Sequence, residues 1–459
     1  MAAAKDFGIE PRRTPGVDTP FRRIRTAIPH PDSLVTLKTL QANESRSMRG
    51  QPPVVWRRAY GFQVEDGYGN KWVDWSSGVV VANAGHNHPR IVRALQEYLA
   101  SGAPLLTYCF PGEARARLTK KLVEIAPKEL DRVFLLTTGA ESTEVAMKLA
   151  RTHGAGINPK KRYVVSYDGG FHGRTYGAQL AGSPMEWVDP NPYFIKMPFP
   201  GSIDTKDNRF EVFVNRLKEM NVAADEVAGV IAETFQGREA KLMPVEYAQA
   251  LRAWCSEHKA AMIFDEVQAG FGRTGKLFAF QHYGIVPDLV CCGKGITSSL
   301  PLSAVLGRAE YMDQFGPGEM TSTHTGSPLP AVAALASIEA VFEDKLVERA
   351  AELGPYLKAG LEKITRPYHD RIDVGGVGLV VALLFFNNRQ ELAPDAETAH
   401  RFCEEALLGG NLFFAPVGKG YGAIKFCPPL CITKEAIDDA LFGPAGIKET
   451  LEKTMQCKM

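Results

Sequence analysis

Two short segments decide the fold of this chain: Ile263-Phe264-Asp265-Glu266-Val267-Gln268 and Asp288-Leu289-Val290-Cys291-Cys292-Gly293-Lys294-Gly295. The first is an apolar run that ends in acids, and the second is an apolar run followed by a lysine between two glycines. Short apolar runs of this kind are typical of buried parallel strands. Ligands bind at the carboxyl ends of such strands in an open α/β sheet. The sequence therefore predicts that Asp265 and Lys294 lie at a ligand-binding edge.

An acid and a lysine 29 residues apart, each at the end of its own strand, suit the cofactor pyridoxal phosphate. The lysine forms a Schiff base with this cofactor, and the acid pairs with the pyridinium nitrogen. The glycines beside Lys294 allow close approach of the backbone to a ligand. The alternative is that Lys294 and Asp265 form an exposed pair without chemistry.

The composition is that of an ordinary soluble globular enzyme. The 459 residues are 45% hydrophobic and 23% charged, and this length favours two or three domains. The net charge of +1 gives no sign of nucleic acid or a membrane surface as a partner. The longest apolar run, Leu379 to Phe386, is too short to span a bilayer.

The cysteines and the N-terminal residues favour a cytoplasmic location. Eight cysteines lie at irregular spacing without zinc-like pairs, so we interpret them as reduced, mostly buried thiols and expect no metal site. The residues Met1 to Asp6 lack the apolar core of a signal peptide.

The order of predicted elements favours an α/β fold. Residues 1 to about 50 are predicted to form an irregular arm with one short helix, and residues 56–75 a hairpin with its turn at 66–70. From about residue 87, helices alternate with strands, which predicts a mostly parallel sheet with helices on both faces. After about residue 330, one long helix is expected to lead to an α+β segment that begins near Arg371.

Two glycine-containing turns follow predicted strands. Thr138-Gly139-Ala140 lies where a strand turns into a helix, and a helix N-terminus is a ready site for phosphate. The alternative for this turn is a simple helix cap. In residues 169–175, Phe171 and His172 stand among glycines, which suits stacking of Phe171 on a flat ring. The alternative here is an ordinary turn with a core phenylalanine.

Two other patterns resemble binding motifs, but we predict neither a dinucleotide site nor a metal site from them. Residues 270–275 match G-x-G-x-x-G, but they do not join a strand tightly to a helix, so we do not expect a dinucleotide fold. His86 and His88 are interpreted as a loop residue and a helix cap rather than as metal ligands.

Five motifs occur along the chain in a definite order. They are Thr138-Gly139-Ala140-Glu141-Ser142, Gly170-Phe171-His172-Gly173-Arg174-Thr175, Phe264-Asp265-Glu266-Val267-Gln268-Ala269-Gly270-Phe271-Gly272-Arg273-Thr274-Gly275, Gly293-Lys294-Gly295-Ile296 and Thr323-His324-Thr325-Gly326-Ser327-Pro328-Leu329. Their order resembles that of class III aminotransferases, the fold-type I pyridoxal-phosphate enzymes that include 4-aminobutyrate and ornithine aminotransferases. The resemblance covers residues of about 55 to 435.

The resemblance implies roles around the cofactor ring. Lys294 would carry the cofactor and then move a proton, and Asp265 would keep the ring nitrogen protonated. Val267 would pack under the ring and Phe171 over it. Gln268 would reach the ring hydroxyl.

The resemblance also implies further cofactor contacts. Gly139 and Ala140 would bind the phosphate through their backbone N–H groups, with Thr138 nearby. His172 belongs to the cofactor-binding set, and Glu233 matches the family acid near the ring and substrate.

The family's active sites are shared between two subunits, because a threonine from the partner subunit binds phosphate. Thr323 matches that threonine, so we expect a homodimer with composite active sites, or a tetramer of such dimers. The family fold places a large cofactor-binding domain at residues 80–340. A smaller domain would combine residues 1–79 with an α+β part at 341–459.

Two positions depart from the family pattern. Many members carry Glu-Pro-x-Gln-Gly-Glu, whose second Glu pairs with a C-terminal Arg that binds the substrate carboxylate. Here Arg238 replaces that Glu and Lys425 replaces that Arg, so the usual ion pair cannot form. We expect Arg238 to be the main cation for an anionic group of the substrate, because a guanidinium matches a carboxylate better than an ammonium does. The alternatives are that Glu239 pairs with one of the cations, or that Arg238 points to solvent.

The resemblance also implies that Val79 lies at the substrate entrance, so the candidate substrate-binding residues are Val79, Arg238 and Lys425. The implied reaction is a ping-pong transamination, in which an amine or ω-amino acid gives its amino group to a 2-oxo acid. One alternative is a racemase, epimerase or decarboxylase on the same scaffold, and another is a non-catalytic binding protein. The sequence leaves the donor and the acceptor open.

Overall fold

A computed structural model describes residues 6–14, 16–183 and 188–456. Residues Met1 to Lys5 lie outside the described residues. They form most of the segment in which no signal-peptide core was found. The chain divides into two compact units. The continuous unit is Pro89–Glu348, and the discontinuous unit combines Met1–His88 with Arg349–Met459.

The first part of the discontinuous unit contains the predicted hairpin. Its elements are β1 (Val17–Asp18), β2 (Arg23–Ile24), α1 (Leu34–Asn43), β3 (Arg58–Tyr60), β4 (Gln63–Glu65), β5 (Lys71–Asp74) and the short turn α2 (Ser77–Val80). β4 and β5 are antiparallel, with Val64 opposite Trp72. Both side chains are fully buried, which fixes the register because a slip by one residue would expose them.

The continuous unit alternates helices and strands. Its elements are α3 (Pro89–Ala100), α4 (Glu113–Ile125), β6 (Arg132–Leu136), α5 (Gly139–Ile157), β7 (Tyr163–Tyr167), α6 (Tyr176–Ala181), β8 (Phe194–Met197), α7 (Glu211–Glu219), β9 (Val227–Glu233), β10 (Phe235–Gln236), β11 (Lys241–Leu242), α8 (Val245–Glu257), β12 (Ala261–Asp265), β13 (Leu289–Cys292), β14 (Ser303–Gly307), α9 (Ala309–Met312) and α10 (Pro328–Glu343).

Seven of these strands form one sheet in the order β6-β14-β13-β12-β9-β7-β8. Strands β13, β12, β9, β7 and β8 pair in parallel, so the predicted mostly parallel sheet is confirmed. The exception is β14, which runs antiparallel to both of its neighbours. β14 was not predicted from the sequence.

The central strands β9, β12, β13 and β14 are buried on both faces, and alternate residues of β12 contribute to two separate cores. Met262 and Phe264 of β12 belong to one core, whereas Ala261 and Ile263 belong to the other. The second core includes residues of α5. Because side chains alternate along a strand, Asp265 follows Ala261 and Ile263 on the α5 side of the sheet.

The chain then continues through a helix that begins at the end of the continuous unit. The remaining elements are α11 (Leu346–Thr365), β15 (Ile372–Val377), β16 (Val380–Asn388), β17 (Ala393–Pro394), α12 (Ala396–Leu408), β18 (Asn411–Leu412), β19 (Ala423–Phe426), α13 (Lys434–Phe442) and α14 (Ile447–Gln456). The expectation of one long helix after residue 330 is wrong. Lys345, with φ 52°, separates α10 from α11, because a left-handed residue cannot continue a right-handed helix.

The discontinuous unit has two sheets of its own. One has the order β1-β2-β5-β4-β3, with β18 beside β5, and the other joins β15, β16 and β17, with β19 beside β16. The apolar run that begins at Leu379 forms most of β16. In the described ranges, no helix combines the length and the apolar character that crossing a membrane requires.

Candidate active site

Two neighbouring parallel strands place the predicted acid and lysine at one edge of the sheet. In the register of β12 and β13, Asp265 lies opposite Cys291. β13 ends at Cys292, and Lys294 begins a 3-10 turn two residues later. Lys294 has φ 45°, a left-handed conformation that is uncommon outside glycine and that often marks a functional site.

A buried network holds Asp265. Its Oδ2 lies 2.8 Å from Nδ1 of His172, and its Oδ1 accepts a hydrogen bond of 3.0 Å from the N–H of Val267. Both Asp265 and His172 are buried. Because a buried carboxylate needs partners, these contacts explain how Asp265 is accommodated. They fix its orientation at the strand end.

A second buried acid lies on the neighbouring strand. Glu233 is opposite Asp265 in the parallel register of β9 and β12. Its Oε1 accepts a hydrogen bond of 2.8 Å from the N–H of Phe171, and its Oε2 accepts one of 2.9 Å from the N–H of Gly237. Burial raises the pKa of Glu233, and the nearby His172 acts in the opposite direction. Glu233 thus fastens the loop after β7 to the end of β9.

Two glycines and a valine form a cradle beside Lys294. A Cβ atom on Gly139 would lie 2.8 Å from Cγ1 of Val267. A Cβ atom on Gly293 would lie 3.1 Å from the same methyl group and 3.7 Å from Cα of Gly139. We call Gly139, Val267 and Gly293 the glycine cradle. It brings the start of α5 and the residue before Lys294 together around one side chain.

The start of α5 is capped by its own side chains. Thr138 accepts a hydrogen bond of 3.3 Å from the N–H of Glu141, and the Glu141 carboxylate accepts one of 2.8 Å from the N–H of Thr138. The helix cap considered for Thr138 is therefore present. It is compatible with phosphate binding, because the first N–H groups of a helix have no acceptor within the helix and carry its positive dipole end.

The loop after β7 packs closely on the start of α5. Gly173 has φ 129°, and a Cβ atom there would lie 2.5 Å from Cβ of Ala140, so only glycine fits. Thr143 of α5 donates a hydrogen bond of 2.7 Å to the carbonyl oxygen of His172. Phe171 is 53% exposed, so the alternative of a core phenylalanine is wrong.

Two buried nitrogen atoms point to a missing partner. Across the part of the chain that the structure describes, Nε2 of His172 and Nε2 of Gln268 have no hydrogen-bond partner. Such atoms are rare in folded proteins. Nε2 of Gln268 is an amide donor, which fits a polar substituent on the ring of a phosphorylated pyridine. The start of α5 suits the phosphate, Asp265 suits a protonated ring nitrogen, and Lys294 suits an aldehyde.

Arg238 is largely buried rather than exposed. Its side chain is only 15% exposed, so the alternative that it points to solvent is wrong. Its Nη2 lies 3.4 Å from Oδ2 of Asp204, and its Nε lies 3.6 Å from Oε1 of Glu239. A Cβ atom on Gly169 would come within 2.5 Å of Nη1 of Arg238. The pairing with Glu239 considered from the sequence is thus present, and Asp204 adds a second acid.

Three further residues were predicted to contact the cofactor or the substrate. Thr323 is exposed on the turn before α10. Val79 is 48% exposed and has φ 65°, a costly conformation for a β-branched residue. Lys425 lies on β19 opposite Ala382 and is 7% exposed, with its Nζ 5.7 Å from the ring centre of Phe414.

Two buried residues near the site had no role predicted from the sequence. Glu266 is fully buried, and its carboxylate accepts hydrogen bonds of 2.9 Å from the N–H groups of Ala279 and Phe280. Burial raises the pKa of Glu266 to about 7. Ser303 of β14 donates a hydrogen bond of 2.6 Å to the carbonyl oxygen of Thr138. The only sequence signal for Glu266 was its place after Asp265, and Ser303 gave none because β14 was not predicted.

Comparisons with known proteins extend over most of the chain. The family model for class-III aminotransferases matches residues 45–443. The 4-aminobutyrate aminotransferase of Mycobacterium leprae is 32% identical over 437 residues, which cover 92% of this chain and 96% of that protein. The alanine/serine racemase of Pyrococcus horikoshii is 30% identical over 427 residues, with 89% and 88% covered.

The fold also matches solved structures. A structure of the ornithine aminotransferase from Toxoplasma gondii, with partial occupancy of pyridoxal phosphate at its active site, has a TM-score of 0.81 and 26% identity. The match covers 92% of this chain and 96% of that chain. Together with the family model, this match shows that the chain belongs to the class III aminotransferases, which are pyridoxal-phosphate-dependent enzymes of fold type I.

Proposed function

We propose that this aminotransferase holds pyridoxal phosphate between the glycine cradle and the loop after β7, and that it prefers amino donors with a second, anionic group. The observation that carries the proposal is the buried pair of His172 and Asp265. This pair lies at the end of β12, beside the strand that leads to Lys294. It provides a fixed negative charge where a protonated ring nitrogen would need one.

Each residue of this site has a distinct task in the proposal. When bound, pyridoxal phosphate supplies an electron sink for charge that develops on the carbon next to the amine. Lys294 holds the cofactor and moves the proton of that carbon. Asp265 keeps the ring nitrogen protonated, and His172 keeps the Asp265 carboxylate in place.

The remaining contacts orient the ring and the phosphate. Val267 packs against one face, and Phe171, which is exposed in the single chain, covers the other. The N–H groups of Gly139 and Ala140 bind the phosphate next to Thr138. Gln268 reaches a polar ring substituent, and Glu233 keeps the Phe171 loop in position.

We propose that the enzyme is a homodimer with composite sites. The end of α3 and the segment after it expose large apolar side chains, and Phe110 is the most exposed of them at 71%. These residues are Leu99, Leu105, Leu106 and Phe110. An exposed apolar patch of this kind is typical of a subunit interface. Thr321 in the Thr323 turn lies next to the same segment, because the Oγ1 of Thr321 is 3.3 Å from the hydroxyl of Tyr108.

A cytoplasmic location remains our proposal. Five of the described cysteines, Cys255, Cys291, Cys292, Cys403 and Cys427, are buried thiols outside any disulfide. Burial raises the pKa of Cys255 to about 12, which keeps this thiol protonated and unreactive. Such cysteines are compatible with a reducing compartment.

The anionic-donor proposal rests on Arg238. A guanidinium binds a carboxylate with two hydrogen bonds, and Arg238 lies against Gly169, two residues before Phe171. The substrates in the names of the relatives, 4-aminobutyrate and ornithine, carry a carboxylate besides the amino group. Loss of a charge-assisted contact costs about 1.5–3 kcal/mol, so Arg238→Ala should raise KM for anionic donors about tenfold or more. Lys425→Ala should have the smaller selective effect.

The test is a panel of amino donors, with and without a carboxylate, against pyruvate and 2-oxoglutarate. The proposal predicts that Arg238→Ala raises KM for the anionic donors more than for neutral amines. Equal effects on both kinds of donor, or a larger selective effect of Lys425→Ala, would contradict it.

A racemase remains the second candidate, because one relative of similar identity is an alanine/serine racemase. A single half-reaction separates the two outcomes. Transamination in the absence of acceptor converts the cofactor to its amine form once per site and releases an oxo product. Racemisation returns the cofactor to its aldehyde form and inverts the donor.

A further inference from the structure

We infer that Tyr283 is a positioning residue for cofactor binding. Its buried hydroxyl closes the base of the hairpin formed by β10 and β11, and this hairpin holds the loop that carries Phe171. This role rests on the proposed function, because it is there that Phe171 covers one face of the cofactor ring. Tyr283 itself lies outside the set of residues proposed to contact the cofactor.

The hydroxyl of Tyr283 lies between the two ends of the hairpin. It donates a hydrogen bond of 2.5 Å to the carbonyl oxygen of Thr234 and accepts one of 3.2 Å from the N–H of Met243. Phe235 is opposite Leu242 in the hairpin, so Thr234 and Met243 are the next pair outward in the same register. Burial raises the pKa of Tyr283, so the hydroxyl keeps the proton that it donates.

The hairpin needs this bridge because it is short. β10 and β11 have two residues each and form a sheet of their own. A single hairpin is marginally stable at best. Thr234 and Met243 are both buried, so loss of the hydroxyl would remove a hydrogen-bond partner from two buried backbone groups. Such a loss is costly away from water.

The position of Tyr283 is set from β12. Tyr283 directly follows the 3-10 turn Ala279–His282. Glu266, the first residue after β12, accepts hydrogen bonds from the first two N–H groups of that turn. The ring of Tyr283 also lies 5.8 Å from the ring of Phe264, which belongs to β12. The strand that ends in the cofactor acid therefore also places the hydroxyl at the base of the hairpin.

The hairpin contacts the loop after β7 at two places. Nε2 of Gln236 donates a hydrogen bond of 2.8 Å to the carbonyl oxygen of Asp168. The N–H of Gly237 donates to one carboxylate oxygen of Glu233, and the other oxygen accepts from the N–H of Phe171. A displaced hairpin would thus disturb the loop at its first residue and at Phe171.

The first experiment uses Tyr283→Phe, which removes the hydroxyl and keeps the ring. Hydrogen exchange of the full chain without added cofactor should be about three- to tenfold faster at the amides of Gly237 and Phe171 than in the wild type. A titration with pyridoxal phosphate should show a cofactor Kd raised about three- to tenfold, as loss of one buried hydrogen bond predicts. Unchanged exchange at both amides, or an unchanged cofactor Kd, would overturn the inference.

A matched control comes from another tyrosine of the same core. Tyr247 is buried, and its hydroxyl lies 3.3 Å from that of Tyr167, a side-chain group rather than the backbone of the hairpin. Tyr247→Phe should leave the exchange of both amides and the cofactor Kd as in the wild type. If it changes them as much as Tyr283→Phe does, the cause is a general loss of stability, and the inference fails.

A double variant tests whether Tyr283 acts through the hairpin. Glu233→Gln weakens the contact that joins Gly237 to Phe171. In Tyr283→Phe/Glu233→Gln, the two effects on the cofactor Kd should therefore be less than additive, and additive effects would contradict the inference. A wild-type protein that binds no pyridoxal phosphate would instead refute the proposed function.

Discussion

Replacing Gly139 with alanine tests the glycine cradle directly. Gly139 is the first residue of α5 and is not among the residues with positive φ, so the backbone accepts alanine without strain. The obstacle is Val267, because the new Cβ atom would lie 2.8 Å from Cγ1 and 3.2 Å from Cγ2 of that side chain. Normal carbon–carbon contacts are about 3.5–4.0 Å, so Val267 has to move.

The size of the effect follows from where Val267 can go. Gly293 lies against the same methyl group, with 3.1 Å from its Cβ position to Cγ1, so this side of Val267 has little space. Overpacking of this kind costs about 1–3 kcal/mol. The remaining direction is toward the face on which we propose the cofactor ring packs. We therefore expect Gly139→Ala to weaken cofactor binding by about tenfold or more, because 1.4 kcal/mol corresponds to tenfold in an equilibrium constant.

Gly156→Ala in the same helix is the matched control. Gly156 lies in the last turn of α5, and a Cβ atom there meets nothing within 4 Å. Alanine should stabilise that turn by up to about 1 kcal/mol. The two variants thus make the same chemical change in one helix, and we expect opposite effects on the free energy of unfolding.

Two measurements test this prediction. Urea unfolding with and without pyridoxal phosphate gives the free energy of unfolding, and a cofactor titration of the apoprotein gives the cofactor Kd. Gly139→Ala should lower the free energy of unfolding and raise the cofactor Kd, whereas Gly156→Ala should do neither. A Gly139→Ala protein that binds the cofactor as tightly as the wild type would refute the role given to Val267.

Three further predictions concern other residues of the site. Because burial raises the pKa of Glu266 to about 7, the folded protein keeps a proton that the unfolded chain loses above about pH 4.5. The free energy of unfolding should therefore fall by about 3 kcal/mol as the pH rises from about 4.5 to 7, and Glu266→Gln should lack this part of the pH dependence; parallel stability curves would contradict it. Borohydride should fix the cofactor to a peptide that contains Lys294, and Lys294→Ala should lose nearly all turnover; a labelled peptide without Lys294 would rule out that role. Mixing Lys294→Ala with an inactive Thr323 variant should restore some activity through hybrid dimers, and a monomer with full activity in sedimentation and assay would exclude composite sites.

The sequence was sufficient for the sheet edge at the centre of the site. The apolar runs before Asp265 and Lys294 have strand length and flanking polar residues, so their position and parallel pairing were predictable. The hairpin around residues 66–70 was predictable from its turn residues. The contact of His172 with Asp265 was not, because it joins residues 93 positions apart.

Other features of the fold and the site could not be predicted from the sequence, for physical reasons. β14 runs against its neighbours, and only tertiary pairing reveals that direction. The break at Lys345 has no glycine or proline at the left-handed position. One acid beside Arg238 is Asp204, which lies in a loop without a periodic pattern. The sequence therefore showed the changed charge at residue 238 but not this contact with Asp204. The domain boundaries, the dimer and the individual residue roles stay predictions.

The reversed strand β14 has a consequence for synthesis of the chain on the ribosome. β6 stands at the edge of the sheet, and its neighbour in the sheet is β14, which ends at Gly307. Until those residues leave the exit tunnel, β6 presents unpaired backbone groups that can join another chain. The cap of Thr138 also lacks its contact with Ser303 until then. The nascent enzyme thus cannot complete the contacts at the start of α5 before about two-thirds of its 459 residues have been made, and chaperone dependence should be concentrated in that interval.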